Sequence, residues 1–295
     1  MKRTSSIQRR QRLGYLYIMP WVIGLLVLQL YPFVSSFVYS FTNSNLGGRF
    51  DFVGFRNYIQ ILTKDSEFWN SLKVTILFVF ISVPGKIVFA LLIAMLLNQN
   101  VKGVKSFRTL YYIPSIFGSS VAISIVWRML FQTDGVINNL LGKLHIPSVL
   151  WLGTPGMALF TISLLSIWQF GSSMVIFLAA LKQVPSELYD AAKVDGASSI
   201  RIFFQVTVPM ITPMVFFNIV MQMINAFQEF TSAFVITDGG PLKGTYLFGM
   251  KLYNEAFRYF KIGYSSALAW IMFIVIMVFT FILFRSSKKW VYYSD

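Results

Sequence analysis

Asn218, Gln222, Asn225 and Glu229, in the run NIVMQMINAFQE, are the residues of this sequence best equipped to handle a polar solute. Amides and a carboxylate present paired donors and acceptors, which is what hydroxyl groups need from a binding surface. Their offsets of 0, 4, 7 and 11 bring them, at about 100° per residue, within roughly 60° of one another on a helix. They form one polar stripe on an otherwise apolar stretch. Hydrocarbon offers such groups no partners, so the stripe requires a reason. Two stay open on the sequence: hydrogen bonds to neighbouring helices, or the lining of a path for a hydroxyl-rich solute. A preceding apolar run carries Ser166, Trp168, Gln169, Ser172 and Ser173. Gln169 and Ser172 join the path candidates, and Trp168 is either packing or a ring on which a solute stacks.

Catalytic chemistry is harder to find. His145 in GKLHIPSVLW is the only histidine, too few for a shared metal or a triad. The absence of cysteine removes thiolate ligands, disulfides and thiol nucleophiles together. No G-x-x-x-x-G-K-[ST] string exists, since Gly142-Lys143 runs into Leu144 and Gly85-Lys86 into Ile87; the chain has no P-loop with which to bind ATP. No catalytic residue, metal site or resident cofactor is therefore expected. The charges of Lys86, Arg128 and Glu229 fall inside apolar runs, where they are costly. Arg128 is close enough to an end to snorkel, whereas Lys86 needs a partner or water, and Glu229 is the acid open to either.

Composition says which elements must hold these residues. Of 295 residues, 56% are hydrophobic and 12% charged, with a mean hydropathy of +0.65, values that suit a bilayer rather than water as the solvent. Six runs are long enough to cross a core of about 30 Å as helices of roughly 20 residues: 13–41, 72–97, 109–131, 157–181, 209–236 and 264–284. The first is too long for a signal-peptide core and no small-residue cleavage site follows it, so it is expected to stay as a span. More than half of the 25 Lys and Arg residues flank one side, among them Arg9, Arg12, Lys105, Arg108, Lys182, Lys193, Arg201, Arg285 and Lys289. By the positive-inside rule both termini are cytoplasmic, and residues 1–12 are a basic cytoplasmic tail. The net charge of +14 is thus spread over membrane flanks instead of gathered in the patch or arm of a nucleic-acid binder. The expectation is one all-α transmembrane domain over residues 1–295.

Between the fourth and fifth runs lies the long polar stretch VPSELYDAAKVDGASSIRIFFQVTVP, residues 184–209. Pro185 marks a helix start with Ser186 as its N-cap, and Glu187 and Asp190 sit in the early turns, where the helix dipole favours negative charge. Leu188, Ala191 and Ala192 fall on one narrow face whose small alanines admit a close neighbour. Gly196 suits the position just past the helix end, where a positive φ is required. A second short helix, Ser198 to Gln205, leads to Pro209 and back into the membrane.

The spacing here resembles the signature loop of the membrane permeases of ATP-binding-cassette importers, which runs Glu-Ala-Ala, three residues, Gly, nine residues, Ile-x-Leu-Pro. Asp190-Ala191-Ala192, Gly196 and Val206-Thr207-Val208-Pro209 match every interval, with Asp190, Val206 and Val208 as conservative departures. YPFVSSFVYSFTN, FVGFRNYIQIL, RTLYYIPSIFGSSVAISIVWRMLF, GGPLKGT and NEAFRYFKIGYSSALAW are similar to the carbohydrate branch of that family, which includes maltose, lactose, raffinose and glycerol-phosphate importers.

The resemblance implies an all-α, six-span, type I importer permease in a bacterial plasma membrane. It implies that residues 185–208 are the cytoplasmic coupling loop, with Glu187, Asp190, Ala191, Ala192, Asp195 and Gly196 facing a separate ATPase. It also implies a second homologous permease as partner, two ATPase subunits that bind the ATP, and an extracytoplasmic solute-binding protein that delivers a sugar. The alternatives are another solute, such as a glycerol-phosphate compound or an amino acid, and an ion-coupled carrier. The last is disfavoured by the scarcity of intramembrane carboxylates and of any repeat between halves.

Overall fold

The computed structural model describes residue 15 and residues 17–45, 50–99, 103–118 and 120–292. The expected basic tail, together with Arg49 and Lys102, lies outside the described residues. Among the described residues the chain is helical, with one isolated β-bridge between Thr42 and Phe52. It divides into two compact units: residues up to Lys64 with Leu252–Met272, and Asp65–Lys251 with the residues from Phe273 onward.

In the first unit, α1 (Tyr17–Ser40) is followed by the β-bridge and by α2 (Arg56–Lys64). The loop between them is tied down by Asn57, whose Nδ2 donates to the Ser40 and Thr42 carbonyls, both at 2.9 Å. The helix that starts at Ile262 enters the same unit. A Cβ on Gly263 would stand 2.0 Å from the Thr42 carbonyl oxygen, so only glycine fits that approach. Trp270 packs between Phe33 and Phe37 and donates from Nε1 to Ser36 Oγ at 3.2 Å.

The second unit is built round α3 (Ser66–Leu97), capped by Asp65, whose Oδ1 accepts from Phe68 N at 3.0 Å. Ser71, Thr75, Ser82, Ala90 and Ala94 on α3 are wholly buried, so small side chains let neighbours come close. The hydroxyls of Ser71, Thr75 and Ser82 donate to carbonyls of their own helix and leave no unmet donor in an apolar setting. Next come α4 (Val104–Phe117), α5 (Val121–Leu130), α6 (Val136–Lys143), α7 (Pro155–Trp168), α8 (Gly171–Gln183) and α9 (Ser186–Val194). They are followed by α10 (Ser199–Phe227), α11 (Thr231–Thr237), α12 (Phe248–Tyr253) and α13 (Ile262–Ser287). α7, α8 and α10 pack directly on α3. The later part of α13 lies on α10 through Phe279 against Phe227 and Phe284 edge-on to Phe216.

Four described helices are long and apolar enough to cross a membrane, and six spans result if each of two bent helix pairs counts as one. The expected boundaries need correction at three places. The run 109–131 is two helices, α4 and α5, that break at Gly118. The run 157–181 is α7 and α8, bent by 47° at Gln169 and Phe170. The run 209–236 also breaks, after Phe227, and its last part is the separate helix α11.

The expected second loop helix, Ser198–Gln205, is not separate either: it is the start of α10. Pro209 cannot donate to a carbonyl one turn back, and its ring crowds that position. A π-helical turn over Phe203–Thr207 widens the helix just before it, and the rod runs on unbroken.

The segment 238–251 is anchored to the start of α3 by charge. Lys251, 3% exposed, donates to Asp65 Oδ2 at 2.7 Å and lies 3.5 Å from Glu67 Oε2. Lys243 also donates to Glu67, and that hydrogen bond raises the lysine's pKa above its ordinary value.

Helix α8 comes so close to α4 that a Cβ on Gly171 would stand 2.7 Å from the Tyr111 carbonyl oxygen and 2.8 Å from Tyr112 Cα. Backbone atoms cannot yield as a flexible side chain can. Gly171→Ala is expected to cost about 1–3 kcal/mol and to lower the thermal unfolding midpoint in detergent. Gly142→Ala on α6, where an added Cβ meets nothing within 4 Å, is expected to leave the midpoint unchanged or slightly higher.

Candidate functional site

All three helix breaks open onto one polar cavity of about 300 Å³ in the second unit. A break frees backbone donors and acceptors, and in an apolar bundle each must find a partner in protein or in water. At the α4–α5 break Gly118 adopts φ +51°, and its carbonyl oxygen accepts from Gln169 Nε2 at 2.6 Å. At the α7–α8 break the Gln169 carbonyl accepts from Ser115 Oγ at 3.1 Å, and Ser172 N donates to the same hydroxyl at 3.1 Å. At the α10–α11 break Glu229 Oε1 accepts from Ser232 N at 2.9 Å and from Ser232 Oγ at 2.8 Å, which caps α11. The side chains that close the breaks are also the ones that line the cavity.

Five of the six path candidates meet there: Gln169, Ser172, Gln222, Asn225 and Glu229. Asn218 does not. It is buried, donates from Nδ2 to the Met214 carbonyl of its own helix at 3.0 Å, and its Oδ1 has no hydrogen-bond partner among the described residues. Glu229 reaches the cavity by a route other than the one expected: it lies in the break after α10, beyond the helical stripe. Lys86 lines the same cavity, whereas Arg128 is exposed beside a different depression with Gln132 and Gly240. Of the two cations, Lys86 is therefore the one that shares a space with Glu229. Trp168 does not line the cavity; its ring lies 5.7 Å from that of Trp127.

The polar loop is a second feature. α9 starts at Ser186 with Pro185 in the N-cap position and no side-chain cap, so Ser186 is the first helical residue instead of the expected N-cap. Its far end closes as expected. Gly196 has φ +73°, Gly196 N donates to the Lys193 carbonyl at 3.0 Å, and Ala197 N to the Ala192 carbonyl at 2.9 Å. That pair of bonds is a Schellman motif. None of the residues of α9 is buried. Glu187, Leu188, Asp190, Ala191, Asp195 and Gly196 are exposed, while Ala192 is half-buried, so the face expected to carry all three apolar residues presents Leu188 and Ala191 more openly. Asp190 pairs with Lys193 at 3.2 Å on the surface.

Residues 64–291 match the model of the family described as "Binding-protein-dependent transport system inner membrane component". The chain belongs to this family. Among relatives of this transport component, "Probable ABC transporter permease protein YesP" of Bacillus subtilis (strain 168) is 47% identical, over 100% of this chain and 96% of its own. "Lactose transport system permease protein LacF" of Rhizobium radiobacter is 31% identical over 97% of each. The chain also superposes on a chain of the crystal structure of a bacterial ABC transporter involved in the import of the acidic polysaccharide alginate. That match has a TM-score of 0.83 at 19% identity and covers 98% and 99% of the two chains. At that identity the likeness speaks for the fold alone.

The cavity of this transport component includes residues the stripe argument missed. Ser82 and Lys86 stand one turn apart on α3 and both line it, a spacing that would have marked a polar face had the serine been weighed with the lysine. Ser115 and Thr231 also line it and carried no such signal.

At Gly196 an added Cβ meets nothing within 4 Å, so a substitution there is penalised by backbone conformation alone. Gly196→Val is expected to cost about 1–2 kcal/mol. In hydrogen exchange the amides of residues 190–197 should open about five- to thirtyfold more often, with α3 and α8 unchanged. An unchanged rate at 190–197 would show that the loop does not depend on its Schellman closure.

Proposed function

We propose that this chain is the permease subunit of an ATP-binding-cassette importer that moves a sugar or oligosaccharide across a bacterial plasma membrane. The observation that carries the reading is the convergence of three helix breaks on one cavity lined by Gln169, Ser172, Gln222, Asn225 and Glu229. Backbone irregularity at membrane depth is tolerated where it lines a wet cavity, and transporters place their binding sites at such interruptions. Amide and hydroxyl groups with one carboxylate match the donors and acceptors of a sugar. Relatives such as the lactose transport permease of Rhizobium radiobacter support the sugar assignment.

In this reading α9 is the coupling helix. Glu187, Leu188, Asp190, Ala191 and Asp195 face a groove of a separate ATPase, Ala192 packs behind them, and Gly196 turns the chain back toward α10. The ATPase subunits bind and hydrolyse ATP, and the chain itself has no cofactor. A second homologous permease completes the path, a solute-binding protein delivers the sugar, and both termini are cytoplasmic. One observation favours a second reading, in which the solute carries an anionic group such as glycerol phosphate: the Lys86 ammonium lies in the cavity. Competition of uptake by neutral oligosaccharide and by glycerol phosphate separates the two.

Three outcomes are expected of the importer in proteoliposomes, with uptake measured for an oligosaccharide retained by its co-purified binding protein. The chain alone gives no ATP-dependent uptake; uptake by it alone that collapses with the ion gradient contradicts the proposal. Asn225→Ala and Glu229→Gln lower uptake while the ATPase still co-purifies, since each removes a partner of roughly 0.5–1.5 kcal/mol, or somewhat more for the charged group. Wild-type uptake in both variants contradicts the cavity assignment. Ala191→Trp leaves the spans inserted but loses co-purified ATPase or its solute stimulation, because a large ring replaces a small residue on the exposed face.

A further inference from the structure

No residue of helix α9 is buried, so packing does little to fix how it sits. Among the described residues one side-chain hydrogen bond joins it to another helix: Tyr189 Oη to Thr207 Oγ1, at 3.2 Å. Its two ends differ in character. Tyr189 is half-buried on α9, and Thr207 is 6% exposed. Thr207 closes the π-helical turn Phe203–Thr207, which Arg201 Nε braces by donating to Gln205 Oε1 at 2.9 Å. From Thr207 the helix continues without interruption to Phe227. At about 1.5 Å per residue, Asn225 lies roughly 27 Å further along the same rod. One hydroxyl pair therefore ties an otherwise loosely held surface helix to the element that carries Gln222 and Asn225 into the cavity.

We infer that Tyr189 and Thr207 are positioning residues that make α9 and α10 move as one body, so that displacement of α9 reaches the cavity. The inference rests on the proposed coupling role of α9. Without the bond α9 can tilt on its two connecting segments, and a push on it is spent in that tilt before α10 responds. The effect is on the response of the cavity to nucleotide and leaves its resting arrangement alone.

The absence of cysteine allows a direct test. In membranes containing the whole importer, Gln222→Cys is labelled from outside with an impermeant maleimide, with and without ATP plus vanadate, and the band of this chain is read on a gel. The labelling rate is expected to change on nucleotide trapping. Tyr189→Phe and Thr207→Val, added singly, should each shrink that change about two- to tenfold, the range that a hydrogen bond of about 0.5–1.5 kcal/mol corresponds to. The rate without nucleotide should stay the same. Thr207→Ser should keep the full response, and the two changes together should do no more than either alone.

A full response in both single variants, or a double variant whose loss is the product of the two, overturns the inference. A shift of the resting rate as large as the loss of response overturns it as well, because the bond would then serve the fold. Ala191→Trp in the same background separates this from the reading beneath it. If Ala191→Trp abolishes the response and Tyr189→Phe does not, only the tie is wrong. If neither alters it, α9 is not the coupling helix.

Discussion

Hydrocarbon cannot hydrogen-bond a peptide group, and the second unit is organised by the need to meet that demand wherever a helix stops. Three spans stop: at Gly118, at Gln169 and after Phe227. The freed groups are served by side chains that reach across from neighbouring breaks. The Gln169 side-chain amide donates to the Gly118 carbonyl, the Gln169 carbonyl accepts from Ser115 Oγ, Ser115 Oγ accepts from Ser172 N, and Glu229 caps α11. The polar groups that make the breaks tolerable are consequently concentrated in one place, and the cavity is the space they enclose. Its chemistry is a consequence of how the backbone is satisfied.

The rest of the unit holds those breaks in register. The small buried residues of α3 let α7, α8 and α10 approach, and Gly171 lets α8 lie against the backbone of α4. At the other end Asp65 both caps α3 and takes the ammonium of Lys251, so a single carboxylate starts the central helix and fixes the distant segment 238–251. α10 crosses from the loop side to the cavity as one rod because its π-helical turn absorbs Pro209. A continuous helix thus runs from just after the turn that follows α9 to Gln222 and Asn225.

Local patterns were legible in the sequence and long-range ones were not. Apolar length pointed to the four helices long enough to cross a membrane and to the two bent pairs, and the positive φ of Gly196 was readable because a helix end needs only its neighbours to be recognised. Gln222 and Asn225, grouped in the sequence by helical spacing, share one helix and line one cavity. The same argument extended that helix through Glu229, since nothing in NAFQEFTSAF announces a break that a carboxylate stabilises by capping Ser232. It also grouped Asn218 with the others by angle, whereas depth along the helix removes it from the cavity. The break at Gln169 depends on a hydrogen bond to Gly118, 51 residues earlier, and the anchor of Lys251 on a carboxylate far upstream in Asp65. Contacts of that kind have no periodicity to read.

The central claim is that the cavity at the three breaks is where the solute passes. The most direct measurement is a cryo-electron microscopy structure of the assembled importer, trapped with ATP and vanadate in the presence of an oligosaccharide retained by its binding protein. Solute density within hydrogen-bond distance of Gln169, Gln222 and Asn225 is the predicted result. Density for the solute along another face of the chain, with these side chains closed on one another, would contradict the account.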